Sequence, residues 1–515
     1  MHNERRFFGL STFALLVSVL AAAKFFVHIL TGQTYGYFCD ELYTIALSKH
    51  LAFGYTDLPP LVPALHALSR VLFGESLLAI HIFPSLAGAA TLVFVCLITR
   101  ELGGRLFATC VAALGFIIAP VWLILDSFFC YDSIDQLVLA VFLYLLVRLI
   151  RTENRKLWIA LGVTAGIAFL TKATILFLGP GLLIALLASK HRRYFLTPWP
   201  WFAVGTFLVL ISPYVIWQYV NHWPTIAYWA RYSGQKLYHA SIPEYLVSVV
   251  LTMNMVLIPV IGIGLYRIFR PLGDRRYWPL GVMFLATLVL LFVLHARAMM
   301  LAEICIPLIA AGAVWMEEVL TGPQGLKKGI RIAAVSCMVA GGLLVAPVTL
   351  PLLPLPLMKS YTQTFGFLFK PVKDFNDPKS DYPQEFSNRI GWDELVRTVA
   401  LVYHNLPQDD QSGAGIFCEW FGPAGAVDLL GTRYGLPHAV TGNLNYYRWG
   451  PGGSWDVMIF VSAEMDTWRG LFGDVQEKAA VTNEFGASYD QYKVYVCRKP
   501  TMNPKVFWAS VKGGW

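Results

Sequence analysis

The chain is poor in charge. Asp, Glu, Lys and Arg make up 14% of its 515 residues, where soluble globular chains carry about 25%. The shortfall is concentrated before residue 350, so that part is not an ordinary soluble domain. Other absences narrow the field. No Gly-rich loop of the P-loop or dinucleotide type occurs, so no nucleotide cofactor is expected. The eight cysteines include no CxxC pair and no zinc spacing. Cys96, Cys110, Cys305 and Cys337 fall in apolar runs, where cysteine is small hydrophobic filler. Cys39 with Cys130, and Cys418 with Cys497, leave a disulfide open in either pair. There is no internal repeat of the kind that builds many transporters.

Hydrophobic sequence is what the chain has in excess: 56% of residues, with a mean hydropathy of +0.56. A bilayer crossing needs roughly 20 apolar helical residues. Runs near that length recur over 7–30, 76–99, 106–124, 134–150, 157–171, 173–189, 200–220, 246–266, 278–295, 301–316 and 330–350. The first is too long for a signal-peptide core and no small-residue cleavage site follows, so it is expected to be retained. The net charge of +8 does not point to nucleic acid, because the basic residues punctuate the ends of these runs. Alternate loops, beginning with Arg5 and Arg6, hold eighteen Lys and Arg. The opposite loops hold six: Lys49, Arg70, Lys172, Arg231, Lys236 and Arg297. That bias places the N-terminus in the cytoplasm. Eleven crossings then put the C-terminal part outside.

The expected fold is an α-helical polytopic membrane domain over 1–350, with an outer-face loop at 31–75, and a C-terminal α/β domain over 351–515. A proline-rich linker near 347–356 joins the two. In the second part, 415–417, 457–461 and 494–497 read as strands, and 391–405 and 423–431 as helices.

Acidic residues collect near the outer face, where a carboxylate beside apolar segments is costly and points to function. The loop between the first two crossings carries Asp40, Glu41 and Asp57. Its stretches 40–51 and 59–73 pattern as amphipathic helices at the interface. Asp40 and Glu41 suit a helix N-terminus, and Asp57 before Pro59-Pro60 suits an N-cap. The same carboxylates suit proton abstraction from a hydroxyl. Lys172 and Arg297 are isolated outer cations. They fit snorkelling from helix ends or recognition of a phosphate at the membrane surface. Lys24, inside the first run, reads as a snorkelling lysine and is the one residue that keeps a transporter or flippase in play.

Several segments in order resemble the bacterial GT-C integral-membrane glycosyltransferases, the group of protein O-mannosyltransferases, the lipid A aminoarabinose transferase and galacturonosyltransferases. They are Asp40-Glu41-Leu42-Tyr43, Asp57-Leu58-Pro59-Pro60-Leu61, Asp126-Ser127-Phe128-Phe129, Asp135-Gln136-Leu137, Gly166 through Lys172, Pro213 through Gln218 and His222-Trp223-Pro224-Thr225. In the C-terminal part they are Ala424-Gly425-Ala426, Asn443 through Pro451 and Tyr495 through Arg498. The resemblance implies a sugar donor on a polyprenyl phosphate and an acceptor in the envelope: lipid A, a glycolipid, a polysaccharide or a protein hydroxyl. It implies a site on the outer face of the bacterial inner membrane, in contact with membrane lipids, with no nucleic-acid partner. Asp40 becomes the base and Glu41 its neighbouring support. Lys172, Arg297, Tyr43, Asp132 and Asp135 become substrate or phosphate contacts. Asp57, His222 and His239 become candidate ligands of a divalent metal. Arg297 stands where relatives carry a lysine-containing turn, and Leu58 where the aminoarabinose transferase carries a lysine. A non-catalytic assembly protein is the remaining alternative.

Overall fold

The structure is a computed structural model that describes residues 6–7, 10–236, 240–270, 275–320, 325–368, 380–452, 455–483 and 491–511. Helices dominate up to residue 349. They are α1 (Thr12–Thr31), α2 (Cys39–Lys49), α3 (Leu61–Phe73), α4 (Leu77–Glu101), α5 (Leu106–Ile118), α6 (Pro120–Leu125), α7 (Tyr131–Thr152) and α8 (Leu157–Thr171). Next come α9 (Ile175–Leu187), α10 (Trp199–Val220), α11 (Pro224–Lys236), α12 (Ile242–Met253), α13 (Ile258–Phe269), α14 (Trp278–Val293), α15 (Ala302–Leu320) and α16 (Gly325–Thr349).

Among the described residues, seven helices are long and apolar enough to cross a membrane, or nine if two bent pairs are each one span. The helices over 106–118 and 157–171, read as crossings, are apolar but shorter. The expected crossing at 246–266 is not a straight rod. It is α12 and α13, bent by 103°. Asn254 makes the bend: its φ of 72° is a conformation that Asn tolerates better than most residues. Its side chain donates to Ile118 O at 3.1 Å and accepts from Val256 N–H at 3.3 Å, so the broken backbone is braced. Segment 173–189 is likewise followed by a short 3-10 turn, Lys190–Leu196, at 103° to α9.

The outer-loop helices differ from expectation in their setting. A helix lying at the interface shows one face to lipid, and α3 does, with Val71 and Leu72 exposed. Every residue of α2 from Cys39 to Ser48 except Asp40 is buried. It packs on α3 on one side and on a helix of the C-terminal domain on the other. Glu41 starts it: Oε2 accepts the Phe38 N–H at 2.8 Å, satisfying an orphan donor of the first turn.

After residue 349 come α17 (Leu355–Phe365), α18 (Trp392–His404), α19 (Phe421–Leu430) and α20 (Leu444–Trp449). The helix α17 packs on α16, and the domain holds a five-stranded sheet built from β1 (Gly415–Cys418), β2 (Ala439–Val440), β3 (Val457–Ser462), β4 (Phe472–Ala480) and β5 (Lys493–Pro500), in the spatial order β2-β1-β3-β5-β4. Both β2 and β3 run parallel to β1, which lies between them, and β5 pairs antiparallel with β3 and β4. The strand β3 is buried along its whole length, as expected for a strand covered on both faces.

The two parts are joined by close packing. The α19 backbone sits on α2 at Gly425, where an added Cβ would lie 2.9 Å from both the carbonyl carbon and the Cβ of Leu42. Gly425→Val is therefore expected to undock α19 from α2. Hydrogen exchange across Cys39–Lys49 should rise by at least tenfold, and unchanged protection there would refute the packing argument.

Candidate active site

A cavity of ≈ 760 Å³ opens between the outer-loop helices and the C-terminal domain. Asp40, Tyr43 and Asp57 line it from the loop, Arg297 from the turn before α15, and Glu385, Glu419 and Glu464 from the C-terminal domain. Sequence reasoning brought the first four to the outer face. It missed the three glutamates, which lie far along the chain, Glu385 in a short helix (Gln384–Ser387) and the other two in loops.

Asp40 lines the cavity with Cys39, Tyr43 and Thr44 of α2, and from Cys39 to Ser48 it is the one residue that is not fully buried. Burial pushes its carboxyl up to about 6, with Asp132 and Glu41 adding to the rise. The Cys39 thiol, 3.5 Å from Oδ1, and the Arg297 guanidinium pull the other way. A carboxyl in that range is ionised at neutral pH yet basic enough to accept a proton.

Asp57 is held by a shared hydroxyl. Tyr43 donates to Asp57 Oδ1 at 2.8 Å, and Asn445 Nδ2 donates to the same tyrosine oxygen at 3.1 Å. Thr56 N–H and its hydroxyl donate to Asn445 Oδ1 at 3.3 and 3.2 Å. The C-terminal domain thus fixes the loop that carries Asp57. Burial pushes Asp57 up to about 7, the Tyr43 hydrogen bond lowers it, and the charge on Asp40 raises it. The Tyr43 hydroxyl already serves Asp57 and Asn445, so its role in the cavity is to orient that carboxyl.

Glu41 faces away from the cavity. It is fully buried, with Oε1 accepting the Phe129 N–H at 2.6 Å and facing His81 Nε2 at 2.9 Å. Burial pushes its carboxyl up, but the charge and hydrogen bond of His81, with Arg389 and the Phe129 N–H, hold it below the usual carboxylate range. It clamps α2 to α4 and to the chain before α7. Arg389, from the C-terminal domain, inserts beside it, donating to Ser127 Oγ at 2.7 Å and lying over the Phe128 ring.

Lys172, Asp132 and Asp135 form a separate cluster. Lys172 is ion-paired to Asp132, and with Asp135, Thr174 and Glu303 they line a second pocket of ≈ 10 Å³, far too small for a phosphate. Of the two expected phosphate contacts, only Arg297 reaches the main cavity. Lys24 does not snorkel outward. Its ammonium is buried within the bundle and meets Asp126 Oδ2 at 2.6 Å, and Gln136 donates to the other oxygen.

Of the metal candidates, His222 is exposed at the start of α11 with φ of 62°. His239 lies outside the described residues, and Asp57 is bound to Tyr43. No three His, Cys, Asp or Glu side chains converge as metal ligands among the described residues. The cysteines are free thiols, including all four members of the two candidate pairs.

The family model for dolichyl-phosphate-mannose-protein mannosyltransferase matches residues 57–217. The chain is 27% identical over 338 residues to the lipid A galacturonosyltransferase RgtD of Rhizobium johnstonii, covering 63% of this chain and 69% of that one. It also superposes on ArnT of Cupriavidus metallidurans. The apo structure gives a TM-score of 0.58 at 14% identity, over 94% of this chain and 98% of ArnT. The structure with undecaprenyl phosphate gives 0.56 at 13% identity, over 94% and 97%. The chain is similar to that family over 57–217 and has the fold of ArnT. In this chain Asp40 and Asp57 share one cavity with residues of the C-terminal domain.

Arg297 supplies a test of the electrostatics. Its charge lowers the Asp40 carboxyl, so Arg297→Gln should move the acid limb of the protein's kcat/KM profile to higher pH. An acid limb that stays put or moves down would refute the Arg297–Asp40 coupling.

Proposed function

We propose that this GT-C protein moves a sugar from a polyprenyl-phosphate donor to a hydroxyl of an envelope lipid or glycan. The site lies on the outer face of the bacterial inner membrane, with the N-terminus cytoplasmic and the C-terminal domain outside. The observation that carries the reading is Asp40, a carboxyl raised to about 6 at the wall of a cavity shared by loop and C-terminal domain. RgtD is named for transfer to lipid A and the ArnT structure for its undecaprenyl phosphate. Those names support the donor and acceptor classes.

The step balances within the cavity. Asp40 takes the proton of the acceptor hydroxyl as that oxygen bonds the anomeric carbon. The bond from anomeric carbon to phosphate oxygen breaks, and the lipid phosphate leaves with the electron pair. Arg297 faces the charge that develops there, where a fixed cation outside bulk water stabilises more than in solution. Asp57, oriented by Tyr43 and Asn445, is placed to hold a sugar hydroxyl.

Purified protein in lipid nanodiscs, given polyprenyl-phosphate sugars and an envelope lipid extract, should release free polyprenyl phosphate and gain a sugar on an extract component. Movement of intact donor across the bilayer with no sugar transferred would instead establish a flippase.

A further inference from the structure

The C-terminal domain does more than cover the loop. The strand β1 is the middle one of the three parallel strands, and the chain runs from it through α19 to β2 on one side, then crosses to β3 on the other. The order reverses between β1 and β3. In open α/β sheets, ligands bind outside the carboxyl ends of the parallel strands at such a switch point. Here the loops after β1, β2 and β3 all open onto the cavity of Asp40, through Glu419 and Trp420, Asn443, and Glu464 and Trp468 respectively.

These side chains are of the kind that hold a sugar. Two indole faces suit the C–H face of a pyranose, and carboxylates and an amide suit its hydroxyls, within a wall of mixed polar and apolar groups. They are also pre-set. Glu419 Oε2 accepts from Ala463 N–H at 2.8 Å and from the Ser462 hydroxyl at 3.1 Å, which leaves Oε1. Trp420 Nε1 donates to the Tyr492 hydroxyl at 2.7 Å. Trp468 packs against Phe417 and Phe507, with ring centroids 5.5 and 6.1 Å apart. Groups locked by their surroundings lose little freedom on binding.

Charge selects among sugars. The described cavity lining holds five carboxylates (Asp40, Asp57, Glu385, Glu419 and Glu464) and one guanidinium, Arg297. Arg297 belongs to the membrane part, so the crevice at the strand ends presents acid alone. An anionic ligand is repelled there.

We propose that the crevice formed by Glu419, Trp420, Asn443, Glu464 and Trp468 is a saccharide subsite for the acceptor, taking a neutral or amino-bearing sugar and rejecting uronates and phosphorylated sugars. The assignment to the acceptor rests on the transferase reading above; the saccharide site itself does not.

The test is saturation-transfer NMR on the full-length protein in nanodiscs with mannobiose, a β-1,6-linked glucosamine disaccharide and a galacturonate disaccharide as probes. The first two should bind, with the galacturonate disaccharide at least tenfold weaker. Trp468→Ala and Glu464→Gln should each weaken mannobiose at least fivefold. Glu464 is exposed, so its substitution does not threaten folding. No probe binding, tightest binding of the galacturonate probe, or binding unchanged in Glu464→Gln would each overturn the subsite. If the probes bind as expected while no polyprenyl phosphate is ever released, the subsite stands and the transferase reading falls.

Discussion

Asp40→Asn is expected to lower the rate of polyprenyl-phosphate release by about a thousandfold, within the ~10²–10⁴ that a positioned general base supplies. The amide keeps the shape of the side chain but has no lone pair basic enough to take a hydroxyl proton. Stability should not fall, because burial already opposes the charged form of Asp40, and a neutral amide removes that opposition. The pH profile carries the sign. A carboxyl raised above its ordinary value is protonated further up the scale, and its base form exists only above that point. Activity of the unmodified enzyme should therefore fall about tenfold per pH unit below about 6. Asp57, raised to about 7, is the internal competitor for the role. Its carboxyl is bound to the Tyr43 hydroxyl, so Asp57→Asn should retain far more turnover than Asp40→Asn. An Asp40→Asn enzyme that turns over freely would remove the mechanism.

Breaking the Lys24–Asp126 pair is the second large effect. Both side chains are within 1% of full burial, and a lone charge left inside a protein is expensive. Lys24→Met or Asp126→Leu alone should cost about 3–5 kcal/mol. The double substitution leaves no orphan charge and should cost less than either. Thermal unfolding of the three variants in detergent reads this directly, and simple additivity of the two single losses would show that the charges are not coupled. Gly88 offers an independent handle. A Cβ there would lie 2.2 Å from Asp126 Cγ, so Gly88→Ala should displace the carboxylate and mimic its loss.

That pair shows where sequence reasoning stops. Lys24 by itself is a lysine in an apolar run, and snorkelling is the ordinary outcome. Only the fold brings Asp126 to it. The helix α2 shows the same limit from the other direction. Its apolar pattern was legible, and so was its start near Asp40. Its burial was not, because the face read as lipid-facing is covered by α19, nearly four hundred residues later. The strands at 415–418, 457–462 and 493–500 were legible from their β-branched and aromatic runs. Edge strand β4 was not, since its sequence Phe472–Ala480 is half exposed and mixed in polarity. Glu419 and Glu464 carry no local signal. One was available at the next level: a glutamate just past each of two expected parallel strands falls where α/β sheets bind ligands. The bend at Asn254 was hidden because hydropathy averages over a window and does not register one residue with positive φ.

The hydrogen bonds from Asn445 to Tyr43, and the insertion of Arg389 beside Ser127 and Phe128, also fix an order of events. A ribosome delivers the outer loop early and the C-terminal domain last, and domains fold as they emerge. The Tyr43–Asp57 arm therefore waits, without its third partner, until the final third of the chain has been made and has docked. The cavity that holds Asp40 is thus complete only once the C-terminal domain has docked.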